Sequence, residues 1–196
     1  MTINGLVGSV SYNDEKAQNG DPVVLITGAL KAAQGILPVG LILTEKSGEG
    51  IPYVETADEV LGTGDGATKA FSGTLTNFPV HPGSVVVGDG TEAFRDDGYG
   101  RLVGDAAGTG TIDYETGDIA VSFNANVTNA VDVEVDYVTS IDLVLDEQVD
   151  TSKAASGNCI HFGLVRQDVL KIGISAQAAP DATCLKRMRK RHLYAS

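Results

Sequence analysis

Val131-Asp-Val-Glu-Val-Asp-Tyr137 decides the fold class. Apolar and acidic residues alternate strictly through it. Successive side chains of a strand point to opposite faces, so Val131, Val133, Val135 and Tyr137 share one face and Asp132, Glu134 and Asp136 the other. A helix would scatter these residues around its circumference. The segment therefore reads as a half-buried strand with a solvated acidic face.

The chain around it has the same character. Gly110-Thr-Ile-Asp-Tyr and Ile119-Ala-Val-Ser-Phe read as strands, with Asp113-Tyr-Glu-Thr-Gly-Asp118 as the hairpin turn between them, and Val85-Val-Val is another strand. GTGDG, GDG, DDGYG and GTGT recur at close spacing, and each is a turn signal. Charge marks the limits of this block. Residues 57–138 hold 14 Asp/Glu and 3 Lys/Arg, a net of −11, whereas the rest holds 12 acidic and 11 basic residues, a net of −1. The block also carries 13 of the 24 glycines, so it reads as a separately composed β-unit, sandwich-like and inserted into the remainder.

The flanks are β-rich as well. Pro22-Val-Val-Leu-Ile-Thr is a short apolar strand, Ile36 to Leu43 a strand pair or bent strand broken by Pro38 and Gly40, and Ile51-Pro-Tyr-Val-Glu-Thr another strand. Ile141–Asp146 and Asn158–Val165 read as strands after the block. Pro180 to Tyr194 is the one convincing helix: Pro180 or Asp181 suits its start, and Leu185, Met188 and His192 share a face. Lys186, Arg187, Arg189, Lys190 and Arg191 crowd its last turns, where the helix dipole favours cations. Those five side chains are the candidate docking helix, for an acidic surface on another protein. Residues 1–20 are polar and weakly patterned, and read as an arm that orders on a partner. Its apolar side chains, Ile3, Leu6, Val7 and Val10, are the candidates for adding a strand to a partner's sheet edge.

Composition excludes several roles. At −12 the chain is repelled by phosphate backbones, so nucleic acid is not an expected partner. No apolar run is long enough to span a membrane, and the N-terminus lacks the features of a signal peptide. Cys159 and Cys184 lie in different predicted elements and read as free thiols.

The order of elements in the flanks resembles the lambda-type bacteriophage head decoration protein family. The segments that carry the likeness are Gly28-Ala-Leu-Lys-Ala-Ala-Gln-Gly35, Leu37-Pro-Val-Gly-Leu-Ile-Leu43, Val144-Leu-Asp-Glu-Gln-Val-Asp-Thr-Ser, Ile160-His-Phe-Gly-Leu-Val-Arg and the terminal helix ending in Leu193-Tyr194. The middle block is similar to a β-module that recurs in phage structural proteins. It shows this in Gly64-Asp-Gly-Ala-Thr-Lys-Ala-Phe-Ser-Gly-Thr-Leu, Pro79-Val-His-Pro-Gly-Ser-Val and Phe94-Arg-Asp-Asp-Gly-Tyr-Gly. The resemblance implies a mainly β protein: an N-terminal arm (1–20), a discontinuous barrel- or tulip-like core (21–56 and 139–196) with a short C-terminal helix, and the inserted module (57–138). It also implies a homotrimer on the outer surface of the virion capsid, with the major capsid protein as partner; the net −11 of the block places the module outward, its turns free to touch a host surface. The alternative is a tail or fibre accessory module that binds a host glycan or receptor.

No catalytic pattern competes. His81, His161 and His192 show no HxH or HxxxH spacing. Asp96, Asp97 and Asp105 lack the ligand spacing of a calcium loop. Gly62-Thr-Gly-Asp-Gly lacks the Lys-Ser/Thr of a phosphate loop. No enzyme activity, metal or cofactor is expected.

Overall fold

A computed structural model describes residues 15–196. The first strands are β1 (Gln18–Ala29), β2 (Ile36–Leu37), β3 (Ile42–Lys46) and β4 (Glu49–Pro52). The middle block contains β5 (Glu55–Thr63), β6 (Ala70–Thr74), β7 (Val86–Gly88), β8 (Ala93–Asp96), β9 (Arg101–Gly104), β10 (Thr109–Ile112), β11 (Asp118–Ser122) and β12 (Asp132–Val138). The chain returns through β13 (Leu143–Leu145), β14 (Val149–Asp150) and β15 (Ser156–Val165), then α1 (Ala182–Lys190) and β16 (Leu193–Ala195). The protein is mainly β with one short C-terminal helix.

The two flanks build one sheet. Its strand order is β1-β15-β13-β3-β4, with β16 lying parallel on β15. Leu30, just beyond β1, bridges Gly50 of β4, which draws the two edges of the sheet together at one end. Alternation separates its side chains. Ile42, Val144 and Ile160 join one apolar cluster with Tyr53, Cys184, Met188 and Leu193, so α1 covers that face. Leu41, Leu43, Leu143, Leu145 and Cys159 form a second cluster with Leu30, Leu37 and Val149, beneath the small β2–β14 ribbon.

The middle block forms a single sheet, in the order β5-β12-β7-β8-β9-β10-β11-β6. Where the sequence suggested sandwich-like packing, this one sheet curls until its edge strands β5 and β6 approach, giving a nearly closed barrel. Gly62 of β5 makes that approach possible. A Cβ there would stand 2.8 Å from Phe71 of β6. The interior is filled by Leu75, Val87, Phe94, Leu102, Val121, Phe123 and Tyr137 among others, every one from the block itself. The alternation of β12 holds: Val133, Val135 and Tyr137 are buried, and Asp132, Glu134 and Asp136 exposed.

Two boundaries move. The arm expected over 1–20 ends earlier, because Ala17 is fully buried and Gln18 opens β1. The buried Asp146 carboxylate fixes this entry by accepting the Ala17 and Gln18 amides at 3.0 and 2.9 Å. The helix expected to reach Tyr194 stops at Lys190. His192 turns to a positive φ, which redirects Leu193–Ala195 into β16. Cys184 and Met188, not His192, therefore form its buried stripe.

Candidate docking surface: helix α1 and the cleft between core and module

Helix α1 is short and begins on a strong cap. The Asp181 carboxylate accepts the Cys184 amide at 2.6 Å, satisfying one of the free amides of the first turn. With Cys184 and Met188 held inward, the five cations divide into two groups. Arg191 stays half-exposed, but its head is tied to the core. Its guanidinium meets Asp142 Oδ1 at 2.6 Å and donates to the Ile141 carbonyl at 3.1 Å. Asp142 is itself pinned, accepting the Glu45 amide and the Ser140 hydroxyl on its other oxygen. Arg187 is half-buried and lines a hollow with Glu55, Asp136 and Asp181. Lys186, Arg189 and Lys190 are exposed, and none of them forms an ion pair among the described residues.

The inner flank of α1 walls a cleft of about 640 Å³ between core and module. His81, Tyr114 and Glu115 face it from the module, Asp142 and His161 from the core, and Lys190 and Arg191 from the helix. Around it the two units are fastened. Val80 bridges Thr139, and the His81 amide donates to the Val138 carbonyl at 2.8 Å. The Ser140 amide donates to the Pro79 carbonyl at 2.9 Å, and Lys46 Nζ sits 3.2 Å from the centre of the Phe78 ring.

His81 feels this arrangement directly. Burial lowers its pKa first, and the nearby charges of Arg187, Lys190 and Arg191 lower it further, against a weaker opposing pull from Asp142, to about 4. Its imidazole is therefore neutral near pH 7. Neither the His81 nor the His161 imidazole is hydrogen-bonded to a hydroxyl or thiol: the Ser84 hydroxyl donates to the His81 carbonyl, and the Ser140 hydroxyl is committed to Asp142. The cleft thus holds charges in place without assembling a nucleophile–base pair. The two cysteines are free and buried. Desolvation pushes the Cys159 thiol up to about 11 and the Cys184 thiol to about 12, so both stay protonated and inert.

The remaining candidates build turns. Asp96 accepts the Tyr114 hydroxyl and the amides of Gly83 and Gly98, Asp97 accepts the Tyr99 amide, and Asp105 the Ala93 amide. In Gly62-Thr-Gly-Asp-Gly, Asp65 accepts the amides of Ala67 and Thr68, a turn in which the carboxylate already has its donors. Among the described residues no group of three or more His, Cys, Asp or Glu is placed to hold a metal. No described helix is long and apolar enough to cross a membrane. Ile3, Leu6, Val7 and Val10 of the arm lie outside the described residues.

Sequence reasoning missed the meeting of His81 with α1, because nothing local in Pro79-Val-His-Pro signals a helix packed over it. It also treated the five cations as one surface, whereas Arg187 and Arg191 serve the fold. Comparison with family models, curated proteins and solved structures returns no match for this chain.

Proposed function

We propose that this chain is a virion structural protein that binds the outer surface of a bacteriophage capsid and stabilises it, as a trimer seated on the major capsid protein. One observation carries the reading. A barrel with its own apolar interior is inserted into a core whose single sheet is shared between the chain before it and the chain after it. That arrangement suits a decoration-type core bearing an added module, as the sequence likeness implies. The role is mechanical: many weak contacts, multiplied by the copies in the assembly, tie neighbouring shell subunits together. The acidic module projects outward, where its carboxylates stay hydrated, since burying several like charges in a contact is costly. The core and arm meet the shell.

Co-sedimentation with expanded, empty phage shells tests this. The full chain is expected to saturate the shells at a fixed ratio to the major capsid protein, and a chain lacking residues 1–14 to bind more weakly. A full chain that stays in the supernatant at every concentration overturns the reading.

The alternative, a tail or fibre module for a host glycan or receptor, is favoured by one feature. Tyr99 is 93% exposed at the tip of the β8–β9 hairpin, on a turn fixed by Asp96 and Asp97. A rigidly presented aromatic ring can stack on a ligand face. Glycan binding by the chain that is lost in Tyr99→Ala would support this second reading.

A further inference from the structure

We infer that the outer face of α1 is a self-association surface, which takes the acidic β12–β5 face of the module of a second copy, head to tail. The inference rests on the self-association part of the reading above and names the surfaces that meet.

The helix side is unspent charge. Arg187 and Arg191 face the body of the protein, and Arg191 is paired there. Lys186 and Arg189 face out, Lys190 sits on the rim of the cleft, and none of the three has an ion pair among the described residues. Positions three and four apart on a helix lie about 4.5 and 6 Å apart along its axis, so the three form one compact row. Tyr194 of β16, which meets His192 just beyond the helix, is 41% exposed. Arginine and tyrosine at a solvent face are what protein interfaces favour.

The module side is complementary in sign. Asp132, Glu134 and Asp136 are exposed along β12, at intervals of about 7 Å. Val60 of β5 stands directly opposite Glu134 and is 52% exposed. An apolar side chain at the centre of a carboxylate field suits lysine and arginine, whose aliphatic stems lie on it while their heads reach the acids. Within one chain it is Arg187 that shares a hollow with Asp136, while Lys186 and Arg189 are turned away from it.

Charge then dictates which surfaces meet. A chain of net −12 repels its copies unless opposite patches meet. Two-fold pairing through either patch alone would set cation row against cation row, or acid row against acid row. Only a contact between the helix of one copy and the module of the next joins unlike charges. Such a contact can be made twice in a reciprocal two-fold dimer, or head to tail in a ring or filament. A three-membered ring is the closed form that fits the trimer proposed above.

Sedimentation of the full chain, free of shells, is the test. The screening length is about 10 Å at 0.1 M salt and about 3 Å at 1 M, so the chain should assemble at the lower salt and dissociate at the higher. The triple variant Lys186→Glu, Arg189→Glu, Lys190→Glu should weaken assembly roughly tenfold or more, since several exposed pairs become repulsive. Asp132→Lys with Glu134→Lys should do the same. A chain carrying both sets should reassemble, which also shows that the reversed chains still fold. A wild-type chain monomeric at 0.1 M salt, a triple variant that assembles as tightly as wild type, or a combined chain that stays monomeric overturns the inference. Shell binding is scored separately. Assembly without shell binding upholds this contact and sinks the capsid reading, while shell binding by a chain that is always monomeric does the reverse.

Discussion

His81 carries a consequence that its sequence neighbourhood does not announce. Its folded pKa of about 4 lies below the ordinary 6.5, because it is half-buried beside Arg187, Lys190 and Arg191. The unfolded chain takes up the proton first as pH falls, so it binds more protons than the folded chain and stability falls with it. The contribution is complete above pH 6.5 and is lost between there and about 4. Urea midpoints measured across this range should fall for the wild type and fall distinctly less for His81→Gln; identical profiles would place the acid lability elsewhere. Glu92 is a second residue whose role is set by distant partners. It is 4% exposed, and its carboxylate accepts the amides of Gly108 at 2.5 Å and Asn124 at 2.8 Å. Gly104 and Gly108 leave the room it occupies, since a Cβ at either would fall within 2.5 Å of its Oε1. Glu92→Leu would strand both amides in the module's interior, at a cost of about 2–4 kcal/mol in chemical denaturation. The acids of this block are recognisable in sequence as turn builders and solvated faces. Glu92 is the exception, and only the closing of the barrel around it distinguishes it from the rest.

At the scale of elements, legibility followed period and turn chemistry. The strict alternation of β12 and the Asp113–Asp118 hairpin need no tertiary information, and both are realised as read. Strands β6, β8 and β9 went unread, because Ala70–Thr74 and Arg101–Gly104 are short and glycine-containing and take their conformation from neighbours on either side. Strand β1 is legible as an apolar strand, but its exposure is not. Its apolar run suggests a buried strand, yet Val24, Leu25 and Ile26 are 47, 44 and 38% exposed, because β1 pairs along its length only with β15 and lies at the sheet edge. The helix was legible from its cap and its charge, but its length was not. Sequence periodicity continues past Lys190, whereas the backbone leaves the helix at His192 to pair Leu193–Ala195 with β15. A helix of nine residues depends on its cap, since so few turns propagate little stability of their own. Asp181→Ala should therefore lower the stability of the protein by about 1 kcal/mol in urea unfolding, with Asp181→Asn losing much less.

For the whole molecule, the charge boundary near residues 57 and 138 coincides with a boundary between apolar interiors. Every buried side chain in the module's cluster lies between Leu75 and Tyr137, and the hydrophobic residues packed around it, from Leu61 to Val131, come from the same block. Val138 and Tyr53, which flank it, belong to the core's cluster instead. The two ends of the block are neighbours, because β5 and β12 are antiparallel and Glu55 stands opposite Val138. A unit with its own interior and adjacent ends can be removed without opening either part, as loop closure then costs little. Residues 55–138 expressed alone should melt cooperatively and give a dispersed β-type NMR spectrum. The complementary chain, with Val54 joined to Thr139 through Asn-Gly, asks whether the core needs its module. A two-residue turn spans neighbouring antiparallel strands, and the shared sheet of β1, β3, β4, β13, β15 and β16 loses none of its pairings. What it does lose is the bracing across the cleft: the Val80–Thr139 bridge and the Lys46–Phe78 contact. The core should therefore fold with a lowered midpoint rather than fail. If the shortened chain is unfolded while the isolated block is folded, the module is the scaffold on which the core is built, and the insertion runs in the opposite sense to the one argued here.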